Sequence, residues 1–221
     1  MQIKQAISDS RSIALPFAVG LFIYTVVGSS IYFALGKEEA HKFFNSYHTP
    51  YLDLAFKYLT HVGHGLVPII AFAFLLLVRY SWALAMGVSS LFMGVIVQTL
   101  KRSVFAGDHR PAMFFKGGGL PSIEGVDLML HHSFPSGHSA TALCICLMFA
   151  FFVKQKWATY FFVVLALSIA FSRVYISQHF IQDTIVGGWI GFIMAYFCYI
   201  FIVHYAEMNP NSKLNKRLWP S

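Results

Sequence analysis

Long unbroken runs of apolar residues, separated by short polar stretches, dominate the chain. Six such runs fall near residues 14–35, 54–78, 82–104, 138–154, 157–178 and 182–205. Each is close to the roughly 20 apolar residues that cross a hydrocarbon core about 30 Å thick. Their apolar residues are contiguous, whereas a lipid-spanning β-barrel alternates over segments of about 10 residues, so the pattern predicts helices. The expected fold is all-α: one membrane-embedded domain over residues 1–221, a six-transmembrane-helix bundle. The first run is about twice the length of a signal-peptide apolar region and no small-residue cleavage pattern follows it, which predicts a retained helix.

Composition agrees with this reading. Of the 221 residues 57% are hydrophobic and 11% charged, against roughly 25% charged in a soluble domain. Six spans leave both termini on one side. That side, with the second and fourth loops, carries eight Lys or Arg against two Asp or Glu, while the other carries eight against seven. The positive-inside bias therefore predicts cytoplasmic termini in a multi-pass protein of a bacterial-type plasma (inner) membrane. The net charge of +7 then belongs to loops beside anionic lipid, and no basic domain points to nucleic acid. No obligate protein partner is inferred. Cys144, Cys146 and Cys198 all fall inside predicted spans without CxxC spacing, which reads as buried thiols and no disulfide.

Two loops stand out. Residues 36–53 hold Gly36, two Glu, aromatic residues and Tyr47-His48-Thr49-Pro50, a composition that predicts a segment lying at the membrane interface. Residues 105–137 form the longest non-membrane piece, with Gly107, the triplet Gly117-Gly118-Gly119, Pro111, Pro121 and Pro135. Loops of that length are commonly functional, and this one is expected to be extracytoplasmic.

The candidate chemistry converges on that predicted outer face. Lys101 ends the third run, Arg110 lies in the long loop, Ser136, Gly137 and His138 open the fourth run, Arg173 lies in the last turns of the fifth, and His179 and Asp183 lead into the sixth. Charged groups in transmembrane segments cost on the order of 3 kcal/mol each, so their clustering marks a site. Ser136 or Gly137 sits where a helix cap belongs, with free N–H groups of the first turn beside it. Three cations beside those donors favour an anion, phosphate in particular. His179 and Asp183 are four residues apart, which on a helix puts them on one face. The carboxylate then fixes the imidazole tautomer and leaves the other ring nitrogen free to attack, with His138 available to move a proton.

Pro135-Ser136-Gly137-His138 and Ser172-Arg173-x5-His179-x3-Asp183 resemble the second and third signature motifs of the type 2 phosphatidic acid phosphatase superfamily. The first family motif, Lys-x6-Arg-Pro, corresponds to Lys101 and Arg110-Pro111, here separated by eight residues. The added length falls around Gly107, where a longer loop costs little. The resemblance covers residues 101–183 by motif and most of the chain by its six-span layout. It implies that His179 attacks phosphorus and becomes a phosphohistidine while Asp183 orients it. His138 would protonate the leaving group and then activate water, and Lys101, Arg110, Ser136, Gly137 and Arg173 would hold the phosphoryl oxygens. No metal or other cofactor is required by that scheme.

A lipid phosphate phosphatase is the leading expectation, acting on the terminal phosphate or pyrophosphate of a phosphorylated membrane lipid. A lipid phosphotransferase using the same phosphohistidine is the alternative. An anion transporter ranks last, because it has no need of an oriented His179 and Asp183 beside a second histidine. Soluble vanadate haloperoxidases share similar motifs, but six apolar spans argue against that role. Phosphatidic acid, phosphatidylglycerol phosphate, a polyprenyl pyrophosphate and the phosphates of lipid A all remain open as substrates. Thr60, His61 and Gly63 are further candidates to line the cavity, and His61, His64, His109, His131 and His132 are read as loop packing or substrate contacts ahead of metal ligands. Part of the aromatic content, 23 Phe and 11 Tyr, is available for an acyl-chain groove.

Overall fold

The computed structural model describes residues 2–116, 118–121 and 123–218, with side chains from Ser10 onward, so Gly117 of the glycine triplet lies outside the described residues. Among the described residues there are nine α-helices: α1 (Gln2–Phe44), α2 (Pro50–Leu59), α3 (Leu66–Val78), α4 (Tyr80–Thr99), α5 (Pro111–Phe114), α6 (Gly137–Val153), α7 (Lys156–Tyr175), α8 (Ile181–Cys198) and α9 (Tyr205–Met208). Short π-helical turns extend α4 through Leu100–Val104 and α8 through Tyr199–His204.

Among the described residues four stretches are long and apolar enough to cross a bilayer: Ser10–Phe44, Tyr80–Val104, Lys156–Tyr175 and Ile181–Met208. The second expected run departs from a single helix. Pro50–Gly63 and Leu66–Val78 meet at 55° and form a broken fifth candidate. The break packs against the start of α6, where a Cβ on Gly63 would come within 2.8 Å of the His138 carbonyl oxygen. A residue larger than glycine would push the two elements apart.

At 17 residues α6 is shorter than those four stretches, at the lower limit for a span. It compensates by position: all but five of its residues are buried, and it packs on α1, α4, α7 and α8. Its contact with α8 is backbone to backbone. A Cβ on Gly187 would lie 2.2 Å from the Ser136 carbonyl oxygen, and one on Gly191 would lie 2.0 Å from that of Ala140. Small residues four apart let helices approach this closely in lipid, where dispersion and weak hydrogen bonds replace the hydrophobic effect. Leu143, Leu147, Met86 and Phe151 fill the centre of the bundle, with Phe151 stacked on Tyr199 at 3.9 Å. Large apolar side chains such as Phe33, Ile70, Leu91, Val164 and Phe201 cover the outside, as expected of surface that faces lipid.

Residues 36–53 are largely helical. Gly36, at φ 77, breaks the helical geometry, yet α1 resumes and runs on to Phe44. Thr49 then caps α2, its hydroxyl accepting from Leu52 N at 3.3 Å. The remaining turns sort to two ends. At one end Lys154 pairs with Glu207 at 3.0 Å, and Tyr80 N donates to Lys216 O at 2.8 Å. At the other end the candidate residues meet.

Candidate active site

The end of α7 explains the spacing between Arg173 and His179. The backbone N–H groups of Gln178 and His179 both donate to the Arg173 carbonyl at 3.0 Å, and Ser177 takes a left-handed conformation at φ 54. Such a turn satisfies the last carbonyls of a helix. It also returns the chain so that two side chains six residues apart face one cavity.

His179 therefore precedes α8 instead of sharing its face with Asp183. Phe180 is the N-cap of α8 and Asp183 is three residues inside. The carboxylate folds back over the cap: its Oδ2 accepts from Phe180 N at 3.0 Å, from Ser133 Oγ at 2.5 Å and from His179 Nδ1 at 3.2 Å. With Nδ1 bonded in this way, Nε2 of a neutral His179 holds the lone pair.

The start of α6 is tied to the same place, since Ser136 N donates to the Asp183 carbonyl at 2.8 Å. Ser136 caps α6, its hydroxyl accepting from Ser139 N at 3.3 Å and lying 2.9 Å from Ser139 Oγ. That hydroxyl is engaged inside the protein and Ser136 does not line the cavity, whereas Gly137 and His138 do.

The cations arrive from three elements. Lys101, in the π-helical turn after α4, donates to His132 O at 3.1 Å. Arg110, the N-cap of α5, donates from Nε to His131 O at 2.9 Å and from Nη1 to Gln178 Oε1 at 2.9 Å. Arg173 donates from Nη1 to Thr60 Oγ1 at 2.7 Å. The eight residues between Lys101 and Arg110 are taken up by the π turn and the bend that follows it, and both side chains reach the same cavity.

That cavity has a volume of about 630 Å³ and two unlike ends. Lys101, Arg110, Gly137, His138, Arg173 and His179 line one. Pro68, Ile69, Phe72, Leu91 and Gly94 of α3 and α4 line the other. Asp183 lies behind His179, buried, and is not part of the wall. Burial pushes the pKa of His179 well below its ordinary range, and Arg110, Arg173, Lys101 and His138 push it in the same direction. Burial also lowers Arg110, with Asp183 opposing. A neutral imidazole beside buried cations is suited to attack an electrophile that carries negative charge.

Gly63 lines the cavity as expected, whereas Thr60 does not and touches the site only through Arg173. His61 is exposed and not among the lining residues. His131 and His132 contribute backbone carbonyls to Arg110 and Lys101. Ser133 and Gln178 escape a reading of the sequence alone. His64 lies with its ring 5.9 Å from that of His138. These roles come from long-range contacts, and only the position of Ser133, just before the Pro135 motif, offered a local hint. Among the described residues no three His, Cys, Asp or Glu side chains converge as a metal-binding group.

The model of the PAP2 superfamily matches residues 81–205, more than half of the chain. The chain belongs to the PAP2 superfamily. The match contains Lys101, Arg110, Ser136, Gly137, His138, Arg173, His179 and Asp183, while Thr60, Gly63 and His64 lie upstream of it. Among PAP2 relatives, phosphatidylglycerophosphatase B of Bacillus subtilis (strain 168) is 35% identical over 71 residues, which is 28% of this chain and 35% of that protein. The alignment thus spans about a third of the length of that curated relative. Among solved structures, LpxE of Aquifex aeolicus superposes with a TM-score of 0.63 at 26% identity, over 75% of this chain and 95% of that one. The first transmembrane PAP2 type phosphatidylglycerolphosphate phosphatase from Bacillus subtilis superposes with a TM-score of 0.52 at 21% identity, over 91% of this chain and 98% of that one. This last likeness is one of fold. The helical PAP2 fold and its apolar surface make this a multi-pass integral membrane protein.

Proposed function

We propose that this protein is a lipid phosphate phosphatase that removes a terminal phosphate or pyrophosphate group from a membrane lipid through a phosphohistidine at His179. The observation that carries the proposal is the single cavity with a cationic, two-histidine end and an apolar end between α3 and α4. A phosphorylated headgroup fits the first and its chains fit the second. The name of the Bacillus subtilis relative, a phosphatidylglycerophosphatase, supports a phosphate ester of a lipid as substrate.

In this reading Nε2 of His179 forms a bond to phosphorus as the bond to the leaving oxygen breaks, and His138 supplies the proton that oxygen needs. Asp183 accepts the Nδ1 proton in a hydrogen bond and balances the positive charge that grows on the ring. His138 then takes a proton from water, the water oxygen attacks phosphorus, and His179 leaves as neutral imidazole with phosphate. Lys101, Arg110, Arg173 and the first-turn N–H groups of α6 hold the phosphoryl oxygens, most strongly as charge builds in the transition state. Every step uses groups of the chain and water, with no metal ion called upon. The single domain spans the membrane six times with its termini inside, so the site acts at the outer face, in keeping with the basic residues at the opposite end.

The test is phosphate release from phosphatidic acid, phosphatidylglycerol phosphate, a polyprenyl pyrophosphate and lipid A, with the wild type and His179→Ala, with and without chelator. Release from at least one lipid that vanishes in the variant and survives chelation is expected. Activity retained by His179→Ala overturns the nucleophile assignment, and loss on chelation overturns metal independence. Added acceptor lipids separate hydrolysis from transfer.

A further inference from the structure

The turn that presents His179 is held from outside the region matched by the family. Ser177 occupies the left-handed position at the end of α7, where helices usually place glycine because a Cβ is penalised there. Its hydroxyl is anchored. Ser177 Oγ donates to Asn45 Oδ1 at 3.0 Å and lies 3.3 Å from His41 Nε2. His41 Nδ1 is buried with no partner among the described residues. His41 Nε2 also lies 3.2 Å from Asn45 Nδ2, so the imidazole joins Ser177 and Asn45 in one buried cluster.

Asn45 grips a second point of the same turn. Its Nδ2 donates to Val174 O at 3.2 Å and to His41 O at 3.0 Å. Its Oδ1 also lies 3.3 Å from His48 Nε2, and His48 Nδ1 contacts Asp53 Oδ1 at 2.7 Å. Asp53 in turn accepts from the Tyr175 hydroxyl at 2.6 Å. The contacts to α7 and its turn fall on Val174, Tyr175 and Ser177, between the phosphate-binding Arg173 and His179.

From this we infer that Asn45 and Ser177 are positioning residues: they hold the strained turn that sets His179 against Arg173. Neither lines the cavity, so both act through His179. The inference rests on the proposed role of His179 as the reacting group. Small displacements of a nucleophile are expensive, about 100-fold for 1 Å.

The turn geometry makes an unusual ordering of variants. Ser177→Ala keeps the Cβ penalty and removes the anchor, whereas Ser177→Gly removes both. In the full-length protein in detergent, Ser177→Gly is expected to stay within about threefold of wild-type kcat, and Ser177→Ala to lose about tenfold, with KM unchanged in both. A mere packing role predicts the reverse, since glycine leaves the larger void. Asn45→Ala is expected to lose about tenfold alone and roughly threefold in the Ser177→Gly background, because glycine keeps the turn without help. Alanine at 177 matching or exceeding glycine overturns the inference, as does an equal Asn45→Ala loss in both backgrounds. Should Asn45→Ala fail to fold, as read from its melting temperature, the Ser177 pair decides alone. Phosphohistidine trapping on the wild type separates the two proposals: its absence overturns the nucleophile reading and with it the role assigned to Asn45 and Ser177, whereas a trapped phosphohistidine with the variant order lost overturns the positioning inference alone.

Discussion

Replacing Asp183 by asparagine changes charge at nearly constant shape. The buried carboxylate oxygen Oδ2 receives Ser133 Oγ, Phe180 N and His179 Nδ1, and an asparagine carbonyl can face the same three donors. What disappears is the negative charge beside a ring that becomes positive as Nε2 bonds to phosphorus. At the 3.2 Å separation of Nδ1 and Oδ2, a unit charge pair is worth about 5 kcal/mol with an effective dielectric of about 20. The ring carries only part of a charge at the transition state and the hydrogen bond is kept, so roughly 3–4 kcal/mol is lost, a factor of roughly 10²–10³ in rate. The assay is single-turnover phosphate release from a lipid substrate in micelles, with an alkaline quench that preserves phosphohistidine. Formation of the intermediate should slow by that factor, while KM stays level or falls, because Lys101, Arg110 and Arg173 are untouched and an anion behind them has been removed. An Asp183→Asn enzyme within tenfold of wild-type kcat, or one whose defect lies in KM, refutes the assigned role. Ser133→Ala, which removes one donor to the carboxylate, should cost about tenfold at most.

Other consequences can be measured with the same preparations. His179 must be neutral to attack, and its lowered pKa keeps it neutral until the pH falls through that low value, so the acid limb of kcat/KM due to His179 should lie below the ordinary histidine range. Arg110→Gln removes one of the cations that lower it, so the limb should move to higher pH; a pH–rate profile shows whether it does. Gly191→Ala places a Cβ 2.0 Å from the Ala140 carbonyl oxygen, and thermal melting in detergent should show a loss of roughly 1–3 kcal/mol or more from overpacking. Gly187→Ala should add a fall in kcat, since its Cβ would press on Ser136, next to His138. Gly94 lines the apolar end of the cavity with open space around its Cβ position. Gly94→Phe should slow lipid turnover about tenfold and spare a short water-soluble phosphate, an equal effect on both refuting the assignment of that end to lipid chains.

Much of this protein is legible in one dimension because lipid imposes strong local rules. A backbone that crosses hydrocarbon must satisfy its own hydrogen bonds, so contiguous apolar runs determined an all-helical membrane protein and the approximate place of each helix. The two spaced motifs likewise determined which histidines, arginines and aspartate to watch, since charges near lipid need a purpose. Continuity of the helices was beyond reach: hydropathy sees residues 54–78 as one run, whereas the break at Thr60–Gly63 follows from Gly63 packing on His138 of a helix about 75 residues away. The relation of His179 to Asp183 depends on tertiary contacts in the same way. Four-residue spacing suggests a shared helix face, but the actual contact comes from a carboxylate folded over a helix cap and anchored by Ser133. Thus the sequence by itself determined the class of fold and picked out most of the polar side chains that the structure gathers around one cavity. Only the tertiary structure decided that Lys101 reaches the cavity across a longer loop, that the Ser136 hydroxyl is spent on a cap, and that residues 41–53 hold the His179 turn. Those facts rest on contacts between residues distant in the chain, and such contacts leave no period or local composition to be read.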